Sequence, residues 1–385
     1  MTTQIVRAIG RAVGGDDLSR AEMAEVIGAI MDGQVTAAQI GGLLVALRMK
    51  GEAIDELVGA ASAMRTRALP ITCPRIEHSI DTCGTGGDAA GTVNVSTLAA
   101  ILIAACGGMV AKHGNRALSS RCGSADVLET LGVAVDAEPS VVERCFAVAG
   151  IGFMFAPRFH AATRHVSGPR RELGTRTIFN LLGPLTNPAQ VRHQVVGVFD
   201  RRWCEPVAAA LGALGVRRAA VVHGAGNPRV ETGGPAPTGG IDEIAVRGET
   251  HVAMWNDGIV ETFQLSPRSF GIHEVEPGGL VGGDAAHNAN VLRAVLAGRH
   301  VDRGEAHEAV LHAAAMTAAL GLELLEPGEV DLGRLADQYV RASTVARDGA
   351  GRLALYRFVE ASRATANEDL SALATKTAAD FKGVE

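Results

Sequence analysis

From Ile76 onward, short apolar runs that end in glycine-rich turns alternate with stretches of helical periodicity: HSIDTCGTGGD, GGMVAKHGN, HQVVGVF and RAAVVHGAG. Strand, turn and helix repeated in that order build crossover units, so the pattern predicts a mostly parallel sheet with helices on its faces. In such sheets ligands collect at the carboxyl ends of the strands. The first seventy residues have another texture. Ser19-x-x-Glu22 is a capping box ahead of Met23, Val26, Ile27, Ile30 and Met31 on one helical face. Thr36-x-x-Gln39 opens a second helix through Ile40, Leu43, Leu44 and Leu47, with Gly51 as its stop. A third starts near Ala53, carries Ile54, Leu57, Ala61 and Met64 in phase, and is expected to end at Pro70. The fold class is therefore α/β: a small all-helical domain plus a larger α/β domain with a mostly parallel central sheet flanked by helices.

Charge narrows the partners. Lys and Arg number 36 against 42 Asp and Glu, a net charge of −6, so no global basic field exists to hold nucleic acid, and a phosphate-bearing ligand needs a local site. Six cysteines form no C-x-x-C pair and no zinc-finger spacing, which fits a reducing cytoplasm. The N-terminus lacks the apolar stretch and cleavage site of a signal peptide. The most apolar window, Val95 to Ala111, is broken by Ser96, Thr97 and Gly107-Gly108 and falls short of the roughly 18–20 clean residues of a membrane span; it reads as a buried helix leading into a strand. Glu231 to Gly240 reads as a surface loop, and the polar tail after Ala361 as a loosely attached or frayed helix. His307-Glu308-x-x-x-His312 is one residue too long for a zinc helix and reads as ordinary helix.

Four segments carry chemistry. In Asp81 to Thr97, Gly84, Gly86 and Gly87 allow a tight turn whose N–H groups face an anion, and the helix that follows adds its positive end. No Walker pattern occurs, and the loose dinucleotide match Gly84-x-Gly86-x-x-Ala89 is opposed by Asp88 and by the want of a ribose-binding acid about 20 residues on. Asn94, Ser96 and Thr97 either cap that helix or grip phosphate oxygens and help hold Mg²⁺. Lys112 to Gly132 sets Lys112, Asn115, Arg116, Ser119, Ser120 and Ser124 in a loop between strand and helix, the composition that wraps a sugar phosphate. Phe155 to Pro188 gathers His160, His165, Arg164, Arg170, Arg171 and Arg176, which suits a carboxylate ligand or ion pairs with Glu172; Gly183 to Pro188 reads as a rigid turn fit for a hinge. Asp242-Glu243 offers oxygen donors to Mg²⁺, although an isolated acidic pair is usually a solvated surface feature. No nucleophile motif is present, so covalent catalysis has no candidate.

Together these segments resemble the anthranilate phosphoribosyltransferase family. GTGGD, NVST, KHGNR-x-x-SS, RRELG-x-RT-x-FN and LGPLTNPA stand in the family's order, across about Leu18 to Glu360. The resemblance implies transfer of the phosphoribosyl group of 5-phosphoribosyl-1-pyrophosphate (PRPP) to anthranilate in tryptophan biosynthesis, with Mg²⁺ as two ions. It implies a cytoplasmic homodimer with small-molecule substrates, and neither nucleic acid nor membrane as partner. It implies a helical domain over 1–72, completed by about 166–192, and an α/β domain over 73–165 and 193–385. Gly84, Gly87, Asp88, Thr92, Asn94, Val95, Ser96 and Thr97 would hold the pyrophosphate, with Ser96 on Mg²⁺. Lys112, His113, Gly114, Asn115, Arg116, Ala117, Leu118, Ser119 and Ser120, with Ser124, would wrap the ribose and its phosphate. Gly84, Asn115, His160 and Arg170 would line the anthranilate site, and Asp242 and Glu243 would hold the second Mg²⁺.

The chain departs from the family pattern at four points: the stretch Ala225 to Gly240 before the acidic pair, Val93 in place of an aromatic, SGPRRELG, and HAATRHV. Three alternatives stay open at this point. A pyrimidine nucleoside phosphorylase shares the fold and loops but lacks RRELG followed by LGPLTNPA. A related transferase would use another amine. A non-catalytic nucleic-acid-binding homologue is opposed by the charge and the intact GTGGD.

Overall fold

The computed structural model describes residues 2–117, 121–226, 239–298 and 305–365. It opens with four helices, α1 (Thr2–Val13), α2 (Arg20–Met31), α3 (Ala37–Lys50) and α4 (Ile54–Arg65). Both expected capping boxes form: Ser19 with Glu22, and Thr36 with Gln39. The third expected helix begins after Ala53 but ends at Arg65, short of Pro70. There the backbone tightens through Arg67 N–H to Met64 O and Ala68 N–H to Arg65 O, and Leu69 N–H is drawn to Phe159 O at 2.9 Å.

The remainder runs β1 (Ser79–Gly84), α5 (Val95–Ala105), β2 (Met109–Gly114), α6 (Ser124–Leu131), α7 (Pro139–Ala149), β3 (Ile151–Phe155), α8 (Ala156–Phe159), α9 (Arg164–Leu173), α10 (Phe179–Leu185), β4 (His193–Gly197), α11 (Cys204–Ala213), β5 (Arg218–Ala225), β6 (Gly240–Ile241), β7 (Thr250–Asn256), β8 (Ile259–Leu265), α12 (Ala285–Leu296), α13 (Glu305–Leu325), α14 (Leu335–Arg347) and α15 (Ala350–Arg363). The sheet order is β3-β2-β1-β4-β5-β7-β8, with β6 beside β5. β3 to β5 are parallel, while β6, β7 and β8 join antiparallel. The mostly parallel sheet is as read from the sequence, which passed over β3 and the β7–β8 hairpin. IGFMF is buried at every position and shows no alternation. The hairpin was legible in Asn256-Asp257-Gly258, whose Asp257 and Gly258 take φ of 41° and 115°.

Val95 to Ala111 is, as expected, a buried helix that leads into a strand. α5 and α13 pack together under the sheet in the larger core. Residues His307–Leu325 of α13 are long and apolar enough to cross a membrane, and 89% of that window is buried in this core. The His307–His312 segment is ordinary helix: His312 meets Tyr339 Oη at 2.5 Å and Glu308 at 3.4 Å. On the other face, α9 rests on α2 and α3, and α10 on α4; Val166, Ile178, Phe179, Leu182 and Leu185 share one apolar cluster with Ile27, Leu44 and Leu57. The expected turn at Gly183 to Pro188 is corrected in its first half, because Gly183-Pro184-Leu185 is the last turn of α10. Pro184 is tolerated there since so short a helix needs few of the bonds a proline removes. All six cysteines remain thiols, and burial pushes each above the ordinary thiol range, Cys106 and Cys122 to about 11 and Cys145 and Cys204 to about 12. Most of Glu231 to Gly240, and the tail from 366 on, lie outside the described residues.

Candidate active site

Three glycines at the carboxyl ends of three parallel strands make a seat for Asp242 and Glu243. A Cβ on Gly197 would stand 1.6 Å from the Asp242 carbonyl oxygen, one on Gly224 2.4 Å from that of Glu243, and one on Gly84 2.7 Å from Asp242 Oδ2. The main chain of the acidic pair thus lies directly on the strand ends of β4, β5 and β1. Of these three glycines, the sequence motifs marked only Gly84. In the seat, Asp242 Oδ2 accepts from Gly86 N–H at 2.8 Å, and the Asp242 N–H donates to Asp88 Oδ2 at 3.2 Å. Asp88 Oδ1 also accepts from Ala90 N–H at 3.0 Å. Burial, then repulsion from Asp88 and Glu243, holds the Asp242 carboxyl well above the usual carboxylate range. Burial and Asp88 push Glu243 up to about 8, against the pull of Lys112 and of the Ser96 N–H.

The glycine loop leads into α5, and of the two roles open to Asn94 the cap is not taken up: its side chain makes no capping hydrogen bond. Asn94 instead donates through Nδ2 to Cys122 O at 3.3 Å and accepts at Oδ1 from Asn288 at 2.9 Å. Ser96 O accepts from Thr82 Oγ1 at 2.8 Å. The Val95 side chain is core; Thr97 is fully buried and its Oγ1 has no partner. Thr92 bridges to Val281. Arg176, reached from the segment after α9, hydrogen-bonds the Gly87 carbonyl and lies 4.4 Å over the Phe199 ring. In the sequence Arg176 is one of several cations in Phe155 to Pro188, and no local signal marks its reach to Gly87.

Lys112 is buried between β1 and β2 and donates to Thr82 O at 2.5 Å. It faces the carboxylates of Asp81 and Glu243, while burial lowers its pKa. Gly114 admits Ser124, whose Oγ donates to Asn115 O at 3.4 Å. Ala117 N–H donates to Asp126 Oδ2 at 2.9 Å. Arg116 is turned to Glu129 (2.7 Å) and Asp126 (3.1 Å) on α6, in ion pairs that lie at the surface. Leu118, Ser119 and Ser120 lie outside the described residues.

Beside this rim stand two buried histidines with ring centroids 5.1 Å apart, His113 and His160. His113 Nδ1 is 3.3 Å from Gly183 O, a carbonyl that can only accept and so fixes the His113 tautomer, while His160 Nε2 is 2.9 Å from Thr186 O and the Met64 carbonyl also faces its ring. That leaves His113 Nε2 as a buried acceptor with no partner. Burial, and His160 beside it, depress His113 to about 3; burial lowers His160 too. Asn187 locks the floor, donating to Asp81 Oδ2 and Ala111 O, both at 2.8 Å. Desolvation raises Asp81 to about 6. Arg170 lies 5.3 Å over Phe179, its guanidinium partly desolvated, and forms no ion pair with Glu172 among the described residues.

The donor set fits Mg²⁺. Asp88, Asp242 and Glu243 are like charges held together under desolvation, a penalty that a divalent cation relieves. Among the described residues no group of three His, Cys, Asp or Glu side chains is placed to hold a metal ion by itself, which suits a hard ion such as Mg²⁺ that takes one or two carboxylates with substrate phosphates and water.

A family profile described as "Glycosyl transferase family, a/b domain" matches residues 77–328, and one described as "Glycosyl transferase family, helical bundle domain" matches 6–68. The chain is 48% identical over 352 residues to the anthranilate phosphoribosyltransferase of Anaeromyxobacter sp. (strain K), covering 89% of this chain and 99% of that one. It is 50% identical over 290 residues to that of Rhizobium meliloti, covering 75% and 81%. Among solved structures it is similar to the anthranilate phosphoribosyltransferase of Thermus thermophilus, at 40% identity and a TM-score of 0.80 over 93% of this chain and 99% of that one. It is also similar to the Saccharomyces cerevisiae enzyme in complex with PRPP and Mg, at 26% identity and a TM-score of 0.79 over 94% and 98%. With relatives this alike along nearly their whole length, the chain belongs to the anthranilate phosphoribosyltransferase family.

Proposed function

We propose that this protein transfers the phosphoribosyl group of PRPP to the amine of anthranilate, with release of pyrophosphate, in tryptophan biosynthesis. The observation that carries the reading is the meeting, on one end of a parallel sheet, of a glycine loop backed by Asp88, Asp242 and Glu243 with a neutral histidine pair. The Saccharomyces relative's complex with PRPP and Mg supports the donor and the metal.

The loop from Gly84 to Thr97 and the amino end of α5 would receive the pyrophosphate, and Lys112 to Ser120 with Ser124 the ribose phosphate. Gly84, Asn115, His160 and Arg170 would line the acceptor site, Arg170 facing the anthranilate carboxylate. Ser96, Asp242 and Glu243 would hold Mg²⁺, as two ions; bound there, the metal neutralises charge on the departing pyrophosphate. As the C1–O bond breaks, positive charge grows on the ribose ring, and the neutral arylamine forms the N–C1 bond from the opposite face. The resulting ammonium then loses one proton, so the chain's work is positioning and dispersal of charge. Residues 1–72 with 166–192 would make one lobe and 73–165 with 193–385 the other; their closure would exclude water from the donor. Exposed Val6, Val13, Val45 and Met49 on α1 and α3 support a homodimer through the helical lobe, and the six thiols suit the cytoplasm.

The test is loss of anthranilate fluorescence on mixing protein, anthranilate, PRPP and Mg²⁺. Loss that needs all four and is weakened by Arg170→Ala supports the reading. No loss, with PRPP still bound in calorimetry, removes anthranilate as the acceptor.

A further inference from the structure

Three loops meet at the amino end of α5, and a side chain that no motif marked ties them together. Asn288, in the first turn of α12, is 1% exposed. Its Oδ1 accepts from Gly283 N–H at 2.8 Å, and its Nδ2 donates to Asn94 Oδ1 at 2.9 Å. The same side chain reaches the Cys122 thiol. Asn94 donates in turn to Cys122 O. A primary amide has one acceptor end and one donor end, so Asn288 and Cys122 between them dictate which way Asn94 points. The main chain is stitched along the same line. Gly282 N–H donates to Gly91 O at 2.8 Å, and Val93 N–H to Leu280 O at 2.9 Å. A Cβ on Gly282 would stand 2.8 Å from Thr92 O.

We propose that Asn288 is a positioning residue for PRPP, which acts through Asn94 to hold the glycine loop and the segment 121–123 in one fixed relation before the donor arrives. This rests on the proposed function, because PRPP is the ligand those two loops would share. A preorganised pair of loops spares the ligand the cost of ordering them.

The experiment measures PRPP binding with Mg²⁺ by calorimetry, KM for both substrates, and Tm, for the wild type, Asn288→Ala and Asn288→Asp. The aspartate keeps the volume and the acceptor for Gly283, but turns an oxygen onto Asn94 Oδ1, so it breaks the relay without opening a cavity. Both variants are expected to bind PRPP about tenfold more weakly, about 1.4 kcal/mol, with KM for anthranilate within about twofold of wild type. The double variant Asn94→Ala/Asn288→Ala should bind PRPP no worse than Asn94→Ala alone. Unchanged PRPP binding in both variants overturns the proposal, as does an equal rise in both KM values that tracks a fall in Tm. A wild type that binds no PRPP sinks the functional reading and this inference together, whereas a wild type that binds it beside unaffected variants sinks the inference alone.

Discussion

Because His113 is held neutral down to about pH 3 in the fold but takes up a proton near 6.5 once unfolded, the unfolded chain binds more protons between those values. Its contribution is intact above about pH 6.5 and is lost as the pH falls toward 3, by about 2 kcal/mol at pH 5. Urea unfolding at pH 7.5 and pH 5 measures this, and His113→Asn should flatten the slope; an equal slope in the variant would assign the acid sensitivity elsewhere. Thr97 makes the opposite kind of test. Its hydroxyl is buried without a partner, so Thr97→Val should leave stability within about 1 kcal/mol of wild type or raise it. PRPP affinity should nonetheless fall if that oxygen is kept for the donor, and calorimetry beside a melting curve separates the two effects.

At the scale of the element, the strand-end glycines decide more than the acidic pair they carry. Gly197→Ala forces the Asp242 carbonyl away from a Cβ otherwise 1.6 Å from it, and is expected to cut Mg²⁺-dependent PRPP binding at least about tenfold, with the loss read by titration at fixed Mg²⁺. Gly258→Ala, in the β7–β8 turn at φ of 115°, should cost about 1 kcal/mol of stability and leave PRPP binding untouched. The same elements show what a linear chain discloses. Capping boxes and glycine turns act within a few residues, so Ser19, Thr36 and the Gly84 loop were legible. Gly197 and Gly224 act on a segment far along the chain from Gly197 and packed on it only by the sheet order, so nothing near them in sequence marked their role. The tie that holds Asn94 was hidden for the same reason: its amide is claimed by Asn288 across 194 positions. The ion pairs of Arg116 with Asp126 and Glu129 were hidden in the same way, because they form only once α6 packs against the loop.

For the whole molecule, the exposed apolar residues on α1 and α3 lead to an expected assembly. Sedimentation should find twice the chain mass, and Val13→Glu/Met49→Glu should halve it without a large change in Tm; a wild type that sediments as a single chain would refute the shared helical face. The thiols give the molecule a property unrelated to catalysis. Burial keeps all six protonated, and only the thiolate reacts with a disulfide reagent. The folded protein should therefore survive aerobic storage without added reductant, and Ellman's reagent should colour slowly at pH 7.5. Once the chain opens, ordinary thiols near pH 8.5 are released together, so the rate of colour development is a built-in clock for loss of structure.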